Sequence, residues 1–160
     1  MSEWSDFFVA TSGAAAGLTG LLFVGVSINL TKILSIPRLP NRALISLMLL
    51  LSILIVSILL LVPGQPLTAL GSEIVLVGTF CWVAVLRIDL EIIRDKKNQY
   101  RTQYFVNMAL NQIALIPYFI GGIVILVSGE KGFYWLVPAI IFSFLKAVLD
   151  AWVLLIEINR

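Results

Sequence analysis

FYWLVPAIIFSFLKAVLDAWVLLIEINR, residues 133–160, is the stretch whose reading decides the class of this chain. Between its polar ends it is apolar over a length that crosses a hydrocarbon core of about 30 Å. Two opposite charges interrupt it. Lys146 and Asp150 stand four residues apart and therefore share one helical face. A charge at mid-bilayer costs about 2.5–3.5 kcal/mol on insertion scales, so both side chains must face protein or water rather than lipid.

The rest of the chain has the same character. Its 160 residues are 60% hydrophobic and only 12% charged, with a mean hydropathy of +1.03. A soluble fold of this size has too little interior to hide so much apolar surface. The apolar runs are continuous rather than alternating, which argues against a β-barrel. The reading is an all-α polytopic membrane helix bundle, a single transmembrane domain over residues 1–160. Its five transmembrane helices fall at about 7–30, 42–62, 70–93, 104–127 and 133–158. The N-terminal MSEWSDFF has acids where a signal peptide carries positive charge, so the first span reads as an uncleaved signal-anchor.

Composition also excludes chemistry. With no histidine there is no histidine-ligated zinc, no Ser-His-Asp or Cys-His nucleophile and no imidazole relay. Cys81 is the sole cysteine, which rules out an intramolecular disulfide. No HExxH, GxSxG, P-loop or dinucleotide fingerprint occurs. The expectation is a protein that is not an enzyme and carries no cofactor and no metal. No basic domain points to nucleic acid.

The first segment opens with small residues, ATSGAAAGLTG at 10–20. Gly13 and Gly17 have the close-packing spacing and Gly20 extends the same narrow face, so neighbouring helices are expected to grip it. Ser12, Thr19 and Ser27 share a face, either bonding back to their own helix carbonyls or lining a hydroxyl-bearing path. Pro37 and Pro40 interrupt the following loop, and Asn41 is placed to cap the second segment. That segment, 42–62, is Leu/Ile/Ser-rich and reads as a lipid-facing wall. In the third, Glu73 falls in the first turn, where a carboxylate suits the helix dipole. Its far end keeps helical spacing, with Leu86, Leu90 and Ile93 on one face, and should continue beyond the bilayer. In the fourth, Asn107, Asn111 and Tyr118 form a stripe with Gln112 beside it, and Pro117 with Gly121 and Gly122 predicts a kink.

Charge asymmetry orients the spans. The first loop carries Lys32, Arg38 and Arg42, and the third carries Arg87, Arg94, Lys96, Lys97 and Arg101. The opposite ends carry only Lys131. Positive charge marks the cytoplasmic side, so the N-terminus is expected outside and the C-terminus inside. Trp4, Tyr134 and Trp135 then fall at the outer boundary, with Tyr100 and Tyr104 at the inner one.

At 1.5 Å per residue, Asp150 lies about 12 Å from the inner boundary, Lys146 about 18 Å and Asn111 about 10 Å. Thr19 comes out near the level of Lys146. Ser143 and Glu157 continue the charged face of the last segment. Lys146, Asp150, Glu157, Asn111, Thr19 and Ser143 are therefore the candidate polar core or pore. Three readings of the Lys146–Asp150 pair stay open: an internal ion pair fixing helix register, the border of a hydrated path or ion site, and a pairing across a subunit interface, for instance with Arg87 of a neighbour.

Four motifs bracket nearly the whole chain: FFVATSGAAAGLTGLLFVGVSINL (7–30), LVPGQ (61–65), YWLVP (134–138) and AWVLLIEI (151–158). They resemble a group of small bacterial membrane proteins, some of which carry the label "modulator of FtsH protease". The resemblance implies a multi-pass protein of the bacterial cytoplasmic (inner) membrane and transfers no functional residue to any position. The functional expectation is a small homo-oligomeric membrane protein forming an ion channel or permeation pathway. Its first and last segments would line the core. The competing class is a non-transporting regulatory or scaffold subunit that binds another membrane protein complex, such as a membrane protease.

Overall fold

The computed structural model describes residues 2–94 and 101–158, and it is all-helical, with no strand among them. Six α-helices follow in order: α1 (Ser2–Ile28), α2 (Leu30–Ser35), α3 (Leu39–Leu61), α4 (Leu67–Arg94), α5 (Arg101–Ser128) and α6 (Phe133–Ile158). A single 3-10 turn, Gly129–Gly132, joins the last two. Among the described residues, four helical segments are long and apolar enough to cross a membrane: Trp4–Ile28, Leu39–Leu61, Leu67–Ile93 and the 54-residue Tyr104–Glu157. The last contains both α5 and α6, folded back on one another at the 3-10 turn. The protein is a multi-pass membrane protein. Lys96, Lys97 and Tyr100 lie outside the described residues.

Helices α3, α4, α5 and α6 close into a ring in which each packs on the next and α6 returns to α3. Inside the ring lie Leu49, Ile53, Val56, Leu70, Ile74, Cys81, Val85, Leu115, Tyr118, Ile125, Leu136, Ile140 and Ala147. Helix α1 lies outside the ring, resting mainly on α3. At one end Trp4 is an exception: its ring sits 5.0 Å from that of Tyr134 and 6.0 Å from that of Phe133, tying the start of α1 to the start of α6.

The segment expected to face lipid is thus the most buried of the spans, packed on α1, α4 and α6. Half of the α3 membrane window is buried, and Ser46, Ser52 and Ser57 are buried with it. A helix that is apolar all round has no hydrophobic contrast to reveal its inner side, so hydropathy reads a wall and a core helix alike. The serines carried the information, because small side chains let α3 approach several neighbours at once.

Local details differ in three further places. Helix α3 begins at Leu39 rather than after Asn41; Arg38 takes the N-cap position with φ 76°, and Pro40 occupies the first turn, where its missing N–H removes no helix bond. Helix α4 begins at Leu67, so Glu73 lies beyond the first turn and accepts a hydrogen bond from Gln65 Nε2. Its buried stripe near the far end runs through Val85, Asp89 and Ile92, leaving Leu90 exposed.

Glycines mark where the ring is tightest. A Cβ on Gly122 of α5 would meet Val75 N at 3.0 Å and Gly71 O at 3.2 Å across the α4 contact. One on Gly132 would sit 2.6 Å from both Gly121 O and Ile125 N. Gly129 and Gly64 open their turns at φ +66° and +71°, a region that side chains disfavour.

Candidate functional site

The inner face of α4 repeats at helical spacing: Leu70, Ile74, Gly78, Cys81, Val85, Asp89, Ile92, all buried. Six of these seven positions are apolar or small. The seventh puts a carboxylate inside the ring. Asn111 of α5 meets it, donating from Nδ2 to Asp89 Oδ1 at 3.1 Å and to Oδ2 at 3.0 Å. From α6, Lys146 and Asp150 point to the same level and form a hydrogen-bonded ion pair one turn apart.

These four side chains are nearly sealed from outside, at 5% exposure for Asp89, 1% for Asn111, 6% for Lys146 and 7% for Asp150. They line a cavity of about 20 Å³ with Arg38, Arg42, Ile45, Ile92, Tyr104 and Asn107. That volume is close to one water molecule's requirement. Asn111 Oδ1 is buried and accepts no hydrogen bond, so the cavity wall presents an open acceptor between two carboxylate-bearing helices. An unsatisfied buried amide oxygen costs about 1–3 kcal/mol.

Arg38, Arg42 and Tyr104 also line a second, larger cavity of about 610 Å³, with Ile36, Pro37, Leu39 and Glu157. Here Arg42 Nη1 lies 3.6 Å from Glu157 Oε1, and Arg38 Nη1 donates to Tyr104 Oη at 2.9 Å. The two cavities share Arg38, Arg42 and Tyr104 and together make a recess at this end of the ring, the smaller one at the buried charges. Beyond the charges the ring is filled. Ser143 donates to Ala114 O at 3.5 Å, and Tyr118 is fully buried beside Ser52 and Ser143. Past them the core is apolar through Ile74, Ile125, Leu136 and Ile140.

Lys146, Asp150 and Asn111 therefore converge, as their depths implied. Glu157 stands at the mouth rather than with them, and Ser143 belongs to the plug one turn deeper. Thr19 does not join. Its hydroxyl donates to Ala15 O at 2.7 Å, and Ser12 and Ser27 likewise bond back to Val9 O and Phe23 O. Since α1 lies outside the ring, the recess is lined by the last helix with α3, α4, α5 and the residues just before α3, and not by the first helix. Gly13, Gly17 and Gly20 face open space, with nothing within 4 Å of a Cβ at any of them, so no helix of this chain grips that face.

Asp89, Arg38, Arg42, Tyr104 and Asn107 join the site only in three dimensions. Asp89 sits among Arg87, Glu91 and Arg94, which makes it look like part of a solvated run. The stripe from Leu70 to Ile92 was the available signal.

No protein-family model matches the chain, and no curated protein and no solved structure matches it either.

Proposed function

We propose that this is a small ion-handling protein of a bacterial inner membrane, in which the recess is one half of a permeation or translocation pathway. Helices α1, α3, α4, α5 and α6 make five crossings, with the N-terminus outside and the recess opening to the cytoplasm, where Lys and Arg concentrate. The observation that carries the reading is the open acceptor of Asn111 in a water-sized cavity between Asp89 and the Lys146–Asp150 pair. Intramembrane ionisable groups facing a polar cavity mark ion and proton paths far more often than they mark lipid-facing surface. The filled core above Tyr118 makes a single chain a half-path, so conduction needs either a movement of the plug or assembly of several copies.

Purified protein in liposomes tests this. Potassium, sodium, chloride or proton flux is expected from the wild type, with selectivity or rate changed by Asp89→Asn and by Lys146→Ala. Silence toward every ion across voltage and pH would sink the proposal. The competing class, a regulatory or scaffold subunit, draws support from the exposed small-residue face of α1. Under it, Gly17→Leu abolishes co-purification of a membrane partner, while the Asp89 and Lys146 substitutions leave that partner bound.

A further inference from the structure

The larger cavity has a composition of its own. Its lining residues stand near helix ends: Leu39 begins α3, Tyr104 lies in the first turn of α5 and Glu157 in the last turn of α6. That is the depth at which lipid headgroups meet water. Two guanidiniums, Arg38 and Arg42, face one carboxylate, Glu157, while Ile36, Pro37 and Leu39 supply an apolar edge.

The two arginines differ in a way that suits an incoming anion. Arg38 is held: its guanidinium carbon lies 5.1 Å from the Tyr104 ring centroid, and its Nη1 donates to the Tyr104 oxygen. A planar fork fixed by stacking loses less entropy when it binds. Tyr104, having accepted that bond, still has its own O–H to donate. Arg42 is held loosely, 3.6 Å from a Glu157 that is 38% exposed in its side chain. A pair of that length and exposure is weak and easily exchanged for a better acceptor. The N-terminus of α3, whose N-cap Arg38 makes no side-chain cap bond, adds the positive end of a helix dipole beside them.

We infer that this cavity binds a phosphate group, with Arg38 and Arg42 as forked donors and Tyr104 as a hydroxyl donor. Three convergent donors match the tetrahedral oxygens of a phosphate, and bidentate arginine contacts favour it over a simple point charge. The apolar edge and the depth suit a phospholipid headgroup; a soluble phosphate ester offers the same chemistry. The inference does not depend on ion conduction.

Native mass spectrometry from a phosphate-free neutral detergent tests it, offering phosphatidic acid, diacylglycerol or oleate to the intact chain. The wild type is expected to retain one phosphatidic acid per chain in preference to the phosphate-free diacylglycerol and the phosphate-free anion oleate. Equal retention of oleate together with no calorimetric binding of inorganic phosphate would overturn the inference, and this comparison needs no variant to fold. The Arg38→Gln, Arg42→Gln double substitution should weaken retention about tenfold or more, and Arg38→Lys, Arg42→Lys should fall between, keeping charge without the fork. Unchanged retention in a folded Gln double variant would equally overturn it. Calorimetric titration with inorganic phosphate separates the sources. Binding there, lost in the double variant and without any lipid preference, supports the site and assigns it to a soluble phosphate compound.

Discussion

Helix α1 and the α4–α5–α6 side of the ring are built from the same kinds of residue and use them in opposite ways. Both contain glycines at intervals and polar side chains at membrane depth. In α1, Gly13, Gly17 and Gly20 meet nothing, and the hydroxyls of Ser12, Thr19 and Ser27 are satisfied by their own helix. In the ring, Gly71, Gly121, Gly122 and Gly132 set backbone-to-backbone approach, Asn111 bonds across to Asp89, and the Lys146–Asp150 pair of α6 lies buried beside them. Small and polar residues in a membrane helix are thus ambiguous until their neighbours are known. Locally satisfied, they leave a helix free to associate; satisfied across helices, they fix the fold.

The largest expected effect tests the buried charges inside the ring. Lys146→Met leaves buried carboxylates without their ammonium and should destabilise the chain by about 3–5 kcal/mol, read by denaturant titration in mixed micelles. Adding Asp150→Leu should restore most of the loss, since removing both partners removes the unpaired charge. A single variant as stable as wild type would remove the contrast between the ring and α1. Next comes the glycine contact: Gly132→Ala forces a methyl against Gly121 O and Ile125 N and should cost about 1–3 kcal/mol in the same assay.

A smaller effect belongs to the aromatic tie that joins α1 to α6. Trp4→Ala removes ring pairs with Phe133 and Tyr134, about 0.5–1.5 kcal/mol each, and should raise amide exchange in α1 while leaving α4 and α5 protected. The smallest is expected within α1 itself. Gly17→Ala should be neutral or stabilising by up to about 1 kcal/mol, because alanine is the better helix former and space is open. If that face is covered by another copy, the change appears as altered mass in mild detergent, not as altered unfolding of the chain.

The contrast also explains what could be read in advance. Lys146 and Asp150 were legible because spacing within one helix fixes which side chains share a face, and Asn111 followed from depth. Asp89 was hidden because a run of charges near a helix end looks solvated whichever one of them turns inward. Thr19 misled because depth carries no information about azimuth: residues at one level can lie on opposite sides of an intervening helix.

By itself, the sequence determined that this is a multi-pass helical membrane protein and that its last helix carries a lysine and an aspartate on one face. Hydrophobic length and the 3.6-residue period are properties of one segment and need no partner. Only the tertiary structure decided that α3 belongs to the ring and α1 lies outside it, that Asp89 joins the charged pair, and that the recess lies at one end of the ring. Those outcomes depend on which faces pack together, and in an apolar membrane helix the pattern of hydrophobicity, which would otherwise say so, is nearly uniform.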